Sequence, residues 1–528
     1  MKLALFLTFI LTVSYVHSNF NLLAFGDIGQ IQVFNKRNPG KLFKSQTKKK
    51  VPVSRASSSV ETLLKEEQFT FKGNKCIMKV KGKKVDRMKE GYVNFRRILC
   101  AASRYIRRSD QITILGDMVY AENKGLPVNN HNLVNEKVQK HMEKRTLCGF
   151  KWFRDMMENY RRYCPRGTSS VHRKLWSSRS KRLNQRFYII EGNHAFDVNY
   201  KNVSALIADI SHARAFYVGS KSKRQRNVRS TDLHMYPRLK RVRKNGVRIE
   251  FLDLNTHILS LLLDGAKGTI RKEPEYKKFA QKVLNTSKIM AYRDALNYLK
   301  YTFRAIRKFS RKAHWRVIRS HHPPMNIEGG FNEQSQYWTV KYRGKSLFDL
   351  LKEHRVKLWL ASHHHSGHVM VFPFNQFHNL TKKKFTASKE HVKNHCVYHS
   401  PSAYTSNAKT SKVKTGCPPK APHYKLQDNF NSSKSGYLWI FVTGNSGREL
   451  DEMEGSHNTR ASLIWGRAVP HQYGAMNINF SARKFRASFI EADKSGKANT
   501  VATFKVRNTG RGKHGYNFVN HEVTSKLK

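Results

Sequence analysis

Five short apolar runs, each followed directly by a polar motif, constrain the fold of this chain more than any other feature. The runs are rich in β-branched and aromatic residues and end at Gly or Ser, which is typical of strands buried in an α/β sheet. They are Asn21–Phe25, Gln111–Leu115, Arg186–Ile190, Trp315–Arg319 and Val356–Ala361. Loops that leave the carboxyl ends of such strands meet at one edge of a sheet, where ligands bind. The sequence therefore predicts an α/β fold whose polar motifs converge on one crevice.

The five motifs supply atoms that bind metal ions. Any one of them is weak evidence, because Gly-Asp pairs are common in turns and a run of histidines in a loop can bind metal adventitiously. Together they offer carboxylates, a phenol, an amide and imidazoles, a mixed oxygen and nitrogen set that suits two metal ions. In chain order they are Gly26-Asp27-Ile28-Gly29, Gly116-Asp117-Met118-Val119-Tyr120, Gly192-Asn193-His194, Ser320-His321-His322-Pro323 and Ser362-His363-His364-His365.

In the order of these motifs the chain resembles the purple acid phosphatases, specifically the tartrate-resistant branch of the calcineurin-like metallophosphoesterases. The family pattern is GDxG, GDxxY, GNH, GH and GHxH, and this chain reads GDIG, GDMVY, GNH, SHHP and SHHH. The resemblance runs from about Asn21 to Arg507, with long basic insertions between the motifs. It implies an αββα four-layer sandwich, in which two mixed β-sheets are flanked by helices and the metals lie where the strands end.

The resemblance also implies a binuclear metal centre. One ion would be Fe(III) and the other a divalent metal, Fe, Zn or Mn. His194 would donate a proton to the leaving alcohol, and a metal-bound hydroxide would hydrolyse phosphomonoesters, as in a secreted acid phosphatase. The implied ligands are Asp27, Tyr120 and His365 for Fe(III), Asn193, His321 and His363 for the divalent ion, and Asp117 for both.

The chain departs from the family pattern at positions that bear on activity. Ser320 and Ser362 replace the glycines of the two histidine motifs, and because serine resists dihedral angles that glycine tolerates, we expect these loops to be distorted. Ala195 stands where an acidic residue usually follows the motif histidine, and Gly330 stands near the position of a second histidine. An alternative function follows: a phosphatase-derived scaffold or anchoring protein, weakly active or inactive, that binds anionic partners.

The first residues of the chain predict export. A charged start, a short apolar core at residues 3–13 and the small residue Ser18 are typical of a signal peptide. No later run is apolar for long enough to predict a transmembrane anchor. We therefore expect a secreted or lumenal protein, with five Asn-x-Ser/Thr sequons as sites for glycosylation, at positions 202, 285, 379, 431 and 479.

The cysteines agree with an oxidising compartment. There are six of them, an even number that permits 15 pairings, and none has the close spacing of a zinc site. Their neighbours in sequence favour local bridges. The expected pairs are Cys76–Cys100, Cys148–Cys164 and Cys396–Cys417.

The charge of the chain is extreme. Lys and Arg total 99 against 36 acidic residues, a formal net charge of +63, and the excess is densest in residues 36–55, 221–248 and 381–385. The composition of these segments is typical of solvated loops. A positive surface predicts nonspecific binding of anionic surfaces or polyanions that weakens with salt; the plain alternative is a charged surface with no dedicated partner. The sequence has no helix-turn-helix, zinc-finger or RNA-binding signature, so we expect no specific nucleic-acid recognition.

The motif spacing predicts one large domain. Length alone suggests about three domains, yet matching segments run from the start of the chain almost to its end. We expect a signal peptide at residues 1–18, one metallophosphoesterase-like domain at residues 19–510 and a polar basic tail at residues 511–528. Insertions are expected near residues 30–87, 201–245 and 372–434. The sequence leaves the oligomeric state open.

Overall fold

All five predicted strands are present in the computed structural model, with ends that differ from the prediction by at most two residues. The residues that the structure describes are 19–29, 67–72, 75–80, 82–84, 93–118, 141, 144, 147–149, 151–153, 164, 187–190, 192, 237–256, 259, 290–324, 342–373, 396–399, 437–447, 462–468, 473–492 and 497–507.

The described elements are mostly strands. They are β1 (Phe20–Phe25), β2 (Glu67–Lys72), β3 (Lys75–Val80), β4 (Lys83–Lys84), β5 (Gln111–Leu115), β6 (Phe187–Ile190), β7 (Arg238–Lys244), β8 (Val247–Asp253), β9 (Trp315–Arg319), β10 (Leu358–Ala361), β11 (Gly367–Pro373), β12 (Cys396–His399), β13 (Tyr437–Thr443), β14 (Ser462–Ala468), β15 (Tyr473–Phe480), β16 (Lys484–Ala492) and β17 (Ala498–Arg507). The described helices are α1 (Val93–Ala101), α2 (Ser103–Arg108), α3 (Met290–Arg307) and α4 (Leu347–Glu353).

The strands form two large mixed sheets. The first has the order β17-β16-β15-β1-β5-β6, in which β1, β5 and β6 run parallel. The second has the order β12-β14-β11-β13-β10-β9-β8-β7, in which β8, β9, β10 and β13 run parallel. The five motifs follow β1, β5, β6, β9 and β10, so each leaves the carboxyl end of a strand with parallel neighbours.

The two large sheets pack face to face. Alternate residues of their strands fill the layer between them, including Leu22 of β1 and Val317 of β9. Aromatic rings join the sheets as well, since the ring centroids of Phe441 in β13 and Phe504 in β17 lie 5.9 Å apart in an edge-to-face contact. Such pairs stabilise a core by about 0.5–1.5 kcal/mol beyond the area they bury.

Helices cover the outer faces of both sheets. Phe95 of α1 belongs to the same buried cluster as Phe25 of β1, and Leu350 of α4 belongs to the same cluster as Trp359 of β10. The helix α4 begins at a capping box, in which Ser346 and the side chain of the third helical residue satisfy each other's backbone N–H groups. The expected α/β fold, a sandwich of two mixed sheets flanked by helices, is confirmed.

Some segments that the sequence assigns to insertions contain strands. The composition of Arg238–Lys244 predicts a solvated loop, and this prediction is wrong, because the segment forms β7 and pairs with β8 along its whole length. As an edge strand β7 can keep side chains such as that of Arg241, which is 59 % exposed, in water, and charged residues at an edge discourage pairing with a further strand. Residues 67–84 contain the small sheet β2-β3-β4. A polar, basic composition is therefore compatible with an edge strand as well as with a loop.

Several expectations fall outside the described residues. Among them are the signal peptide at residues 1–18, the basic tail at residues 511–528, Cys417 of the expected Cys396–Cys417 bridge and the sequons at positions 202, 285, 379 and 431. In the part of the chain that the structure describes, no helix is long and apolar enough to cross a membrane.

A charged cluster joins β6 to the second sheet. Arg319, at the end of β9, is fully buried, and its Nε donates to Asp253 Oδ1 at 2.6 Å. Arg238 of β7 donates through Nη2 to Asp253 Oδ2 at 2.7 Å. The ring of Tyr188 in β6 has the Arg319 guanidinium 5.2 Å and the Lys240 Nζ 3.2 Å from its centroid. Cation–π contacts thus fasten the strand that leads into the third motif.

Asp253 balances the charge of this cluster. Burial would raise the pKa of Asp253, but Arg319 and Arg238 together outweigh it and hold that pKa below its ordinary value. Burial lowers the pKa of Lys240 to about 7, and the charge of Arg319 adds to the lowering. Three cations therefore surround the Asp253 carboxylate. Of the three, the Lys240 ammonium is the one whose charged form is disfavoured.

The described disulfides differ from the predicted ones. Cys76 of β3 pairs with Cys148, and Cys100 of α1 pairs with Cys164, with Cα–Cα distances of 5.3 and 5.5 Å. The predicted bridges Cys76–Cys100 and Cys148–Cys164 are therefore wrong. Nearness in sequence misled because β3 packs against the helical residues 147–149 and 151–153, where Trp152 Nε1 donates to the carbonyl of Cys76 at 3.0 Å. The two cysteines of each bridge are 72 and 64 residues apart in sequence. In the chain-entropy account, closing loops of this length stabilises a fold by about 4 kcal/mol per bridge.

Peptide mapping of the unreduced protein tests this connectivity. We expect linked peptides that join Cys76 to Cys148 and Cys100 to Cys164, because these four described cysteines are bonded in this way. Recovery of a peptide that links Cys76 to Cys100 would contradict the packing of β3 described above.

We expect Asp253→Asn to destabilise the fold by about 3–5 kcal/mol, because the substitution leaves Arg319 buried without its carboxylate. Lys240→Met is the matched control; it removes one of three cations and should leave Tm unchanged or raise it. Since the pKa of Asp253 is depressed in the folded state, its contribution is present above its unfolded pKa and is lost as pH falls through its folded pKa. Thermal unfolding at neutral and acidic pH measures both effects, and equal Tm values for wild type and Asp253→Asn would contradict the assignment.

Candidate metal centre

The ends of four strands bring five predicted metal ligands together. Asp27 follows β1, Asp117 follows β5, His321 follows β9, and His363 and His365 follow β10. Ligand atoms of Asp27, Asp117 and His321 all lie within 4.8 Å of one another. His365 Nε2 is 3.7 Å from Asp27 Oδ1, and His363 Nδ1 is 3.3 Å from His321 Nε2. The positions agree with the predicted centre, while the role of each residue as a ligand stays a prediction.

Three predicted site residues lie outside the described part of the chain. These are Tyr120, Asn193 and the proton donor His194. Their roles stay predictions, although the structure places Gly192, which precedes Asn193, against Asp117. A Cβ atom added at Gly192 would lie 1.8 Å from Asp117 Oδ1. The first residue of the third motif therefore lies against the same cluster as the second motif.

His321 is held by contacts from both sheets. Its Nδ1 donates to the carbonyl of Leu115, at the end of β5, at a distance of 2.8 Å. The hydroxyl of Ser362 lies 2.9 Å from the same Nδ1 and donates to the same carbonyl. Because Nδ1 carries a proton toward Leu115, Nε2 is the nitrogen turned to the cluster, 3.1 Å from Asp117 Oδ2. Such support is typical of histidines that bind metal ions.

The two serines that replace family glycines do not strain their loops. Neither Ser320 nor Ser362 has a positive φ, so the expected distortion is absent at both positions. Each hydroxyl instead makes buried hydrogen bonds: Ser362 supports His321, and Ser320 accepts from Trp359 Nε1 at 2.7 Å and donates to the carbonyl of His322 at 2.7 Å. The two serine hydroxyls therefore support the histidines through hydrogen bonds that glycine could not make.

Three of the predicted ligands have left-handed backbone conformations. The φ angles are 53° at Asp27, 48° at Asp117 and 71° at His363. Such conformations are uncommon for residues other than glycine and cluster at functional sites, where they cost about 1–3 kcal/mol each. The backbone N–H of His363 donates to Asp27 Oδ2 at 2.9 Å, which ties two of these strained positions together.

Charge at the cluster is balanced by imidazole. Burial would lower the pKa of His321, but the carboxylate of Asp117, with a smaller effect of Asp27, outweighs burial and raises that pKa above its ordinary value. Burial, with repulsion from His322 and His321, holds the pKa of His363 well below its ordinary value. A proton on His321 thus compensates buried carboxylates in a place where a metal ion would do the same.

The donor set fits the ions that the resemblance implies. The carboxylates of Asp27 and Asp117 are 0 % and 3 % exposed, and burial of ionised carboxylates is costly unless a cation or several hydrogen bonds compensate. Imidazole nitrogens beside carboxylate oxygens form a set that Fe, Zn and Mn all accept. Asp27, Asp117, His321, His363 and His365 could therefore hold two adjacent ions.

Sequence reasoning missed two residues of this site. His322 follows the predicted ligand His321, and its ring centroid lies 4.3 Å from that of His363. The hydroxyl of Thr256, which follows β8, lies 2.9 Å from His322 Nδ1 and accepts from the His322 backbone N–H at 3.1 Å. The paired histidines of the fourth motif were the available signal for His322. Thr256 gave none, since it lies 66 residues away in sequence.

Comparisons with known proteins show only remote similarity. No protein-family model and no curated protein matches this chain. Similar solved structures include a purple acid phosphatase from yellow lupin (Lupinus luteus) seeds, at 10% identity and TM-score 0.37 over 93% of this chain and 54% of that one. They also include PhoD, at 10% identity and TM-score 0.36 over 78% and 67%, and GAP50, the anchor in the inner membrane complex of Plasmodium, at 10% identity and TM-score 0.36 over 92% and 88%. The chain spans about half the length of the lupin protein. The sheet order and the layers of this chain therefore define its fold.

Proposed function

We propose that this protein is a secreted acid phosphatase in which a binuclear metal centre hydrolyses phosphomonoesters. The observation that most supports the proposal is the position of Asp27, Asp117 and His321. They follow three different strands, are buried, and bring their ligand atoms within 4.8 Å of one another. Export is part of the proposal, because the signal-like residues 1–18 and the disulfides are typical of an oxidising compartment.

The protein's own side chains would determine where the chemistry occurs. Bound metal ions would supply a nucleophile at acidic pH and would neutralise charge on the phosphate. Asp117 would contact both ions, and His321, fixed by the Leu115 carbonyl, would present Nε2 to the divalent one. His194 would donate a proton to the leaving alcohol oxygen. Fe(III) would take the ligands Asp27, Tyr120 and His365, and the divalent ion Asn193, His321 and His363.

The alternative function is a weakly active or inactive scaffold that binds anionic partners. Ala195 favours it, since an acidic residue at that position would otherwise orient and charge His194. The net charge of +63 favours it as well, because a strongly positive surface attracts polyanions without any catalysis. In this alternative the ions would keep the motif loops in place and the basic surface would serve the partner.

Turnover of a chromogenic phosphomonoester at pH 5 to 6, with iron and zinc supplied, separates the two functions. We expect the wild type to be active and Asp117→Asn to lose at least about 100-fold in kcat, because loss of even a supporting partner behind a metal ligand costs about 10–100-fold and Asp117 would itself be a ligand of both ions. Asp349→Asn is the matched control, because Asp349 caps α4 at the outer face of the second sheet. Metal-loaded wild type without turnover would contradict the phosphatase and leave the scaffold.

The visible spectrum tests the ferric site separately. A phenolate bound to Fe(III) absorbs visible light, so purified iron-loaded protein should be purple and Tyr120→Phe should be colourless. Asp117→Asn should keep some colour if Tyr120 still holds its ion. Colourless wild type with a full iron content would contradict the assignment of Tyr120.

A further inference from the structure

A third histidine lies beside the two that the family pattern assigns to the divalent ion. Ligand nitrogens of His321, His322 and His363 all lie within 4.8 Å of one another, and the ring centroids of His321 and His322 are 5.0 Å apart. We infer that His322 is a ligand of the divalent ion, so that three imidazoles hold it. The family pattern gives no role to the residue at this position.

The spacing of two of the rings suits a shared ion. Nε2 of His321 and Nδ1 of His363 are 3.3 Å apart. Two nitrogens that bind one tetrahedral zinc ion at 2.0–2.1 Å lie about 3.3–3.4 Å from each other. The same distance also suits a hydrogen bond between the rings. Metal binding therefore needs little movement of these two side chains.

The contact behind His322 fixes the nitrogen that it would present. Thr256 is fully buried, and its hydroxyl engages both the ring Nδ1 and the backbone N–H of His322. With Nδ1 engaged, we assign Nε2 to the ion. His321 is supported in the same way, by the Leu115 carbonyl on Nδ1. Each of these two rings therefore has the kind of hydrogen bond that orients a metal-bound histidine.

Three imidazoles favour zinc over manganese. Imidazole suits Zn, Cu and Fe, whereas Mn prefers carboxylate, carbonyl and water ligands. Three histidines are a known ligand set of catalytic zinc, and with the proposed ligands Asp117 and Asn193 they would make the ion five-coordinate, a number that zinc also adopts. The inference rests on the proposed metal centre. It disfavours Mn(II) as the divalent metal and leaves Zn(II) and Fe(II), but it does not depend on hydrolysis.

Metal binding to the full chain tests the inference without an activity assay. Protein freed of metal is titrated with Zn(II), and with Co(II) as a spectroscopic probe of coordination. We expect His322→Gln to weaken Zn(II) binding by about 100-fold or more and Thr256→Val by about 10- to 100-fold, the usual effect of losing the partner behind a metal-bound histidine. The visible absorption of bound Co(II) should change in His322→Gln, because the ion would lose one of its imidazole ligands.

His314→Gln is the matched control. His314 precedes β9, and its Nδ1 accepts from the Arg248 backbone N–H at 3.0 Å, so this variant removes an imidazole from elsewhere. The inference would be overturned if Zn(II) and Mn(II) bound with equal affinity, or if His322→Gln left Zn(II) binding unchanged. The proposed metal centre would stand in both cases. Wild type that binds no metal would overturn both. If His322→Gln fails to fold, as judged by circular dichroism, unchanged affinity in Thr256→Val overturns the inference and reduced affinity supports it.

Discussion

The contact between the ends of the two large sheets holds the candidate metal centre together. His321 reaches from the end of β9 to the carbonyl of Leu115 at the end of β5, and its other nitrogen lies 3.1 Å from Asp117. One imidazole thereby fixes the separation of the sheets where the motifs leave them. The approach requires Gly116, whose φ is +103° and whose Cβ, if present, would lie 2.2 Å from His321 Nδ1. The contact that packs the ends of the sheets together therefore also sets the distances between the ligands.

The sandwich contains two kinds of buried carboxylate. Asp253 is neutralised by Arg319 and Arg238, and because a guanidinium cannot lose its proton in a protein, that compensation is permanent. Asp117 lies instead against His321, whose imidazole can lose the proton that balances the carboxylate. A metal ion can take the place of that proton, whereas it cannot replace an arginine. The first carboxylate therefore serves the fold, and the second can serve chemistry.

The sequence predicted what depends on apolar runs and on the ends of strands. Buried strands are recognisable because their residues are apolar, and the ligands converge because those strands run parallel. Three features could not be predicted, each for its own reason. The basic segment Arg238–Lys244 is an edge strand whose charged side chains are partly exposed and partly paired with buried groups, the Cys76–Cys148 bridge depends on packing between distant segments, and Thr256 supports His322 from 66 residues away. The roles of Tyr120, Asn193 and His194 stay predictions.

Backbone conformation bears on whether the centre binds ions at all. Asp27, Asp117 and His363 are held at positive φ, and each such conformation costs about 1–3 kcal/mol unless its surroundings enforce it. In a scaffold that bound no ions, nothing would offset the free-energy cost of holding these two carboxylates and this imidazole close together. A metal centre would gain ligands already positioned before the ion arrives. The strain therefore favours ion binding in either function, and the difference between enzyme and scaffold lies in proton delivery, where His194 has Ala195 as its neighbour.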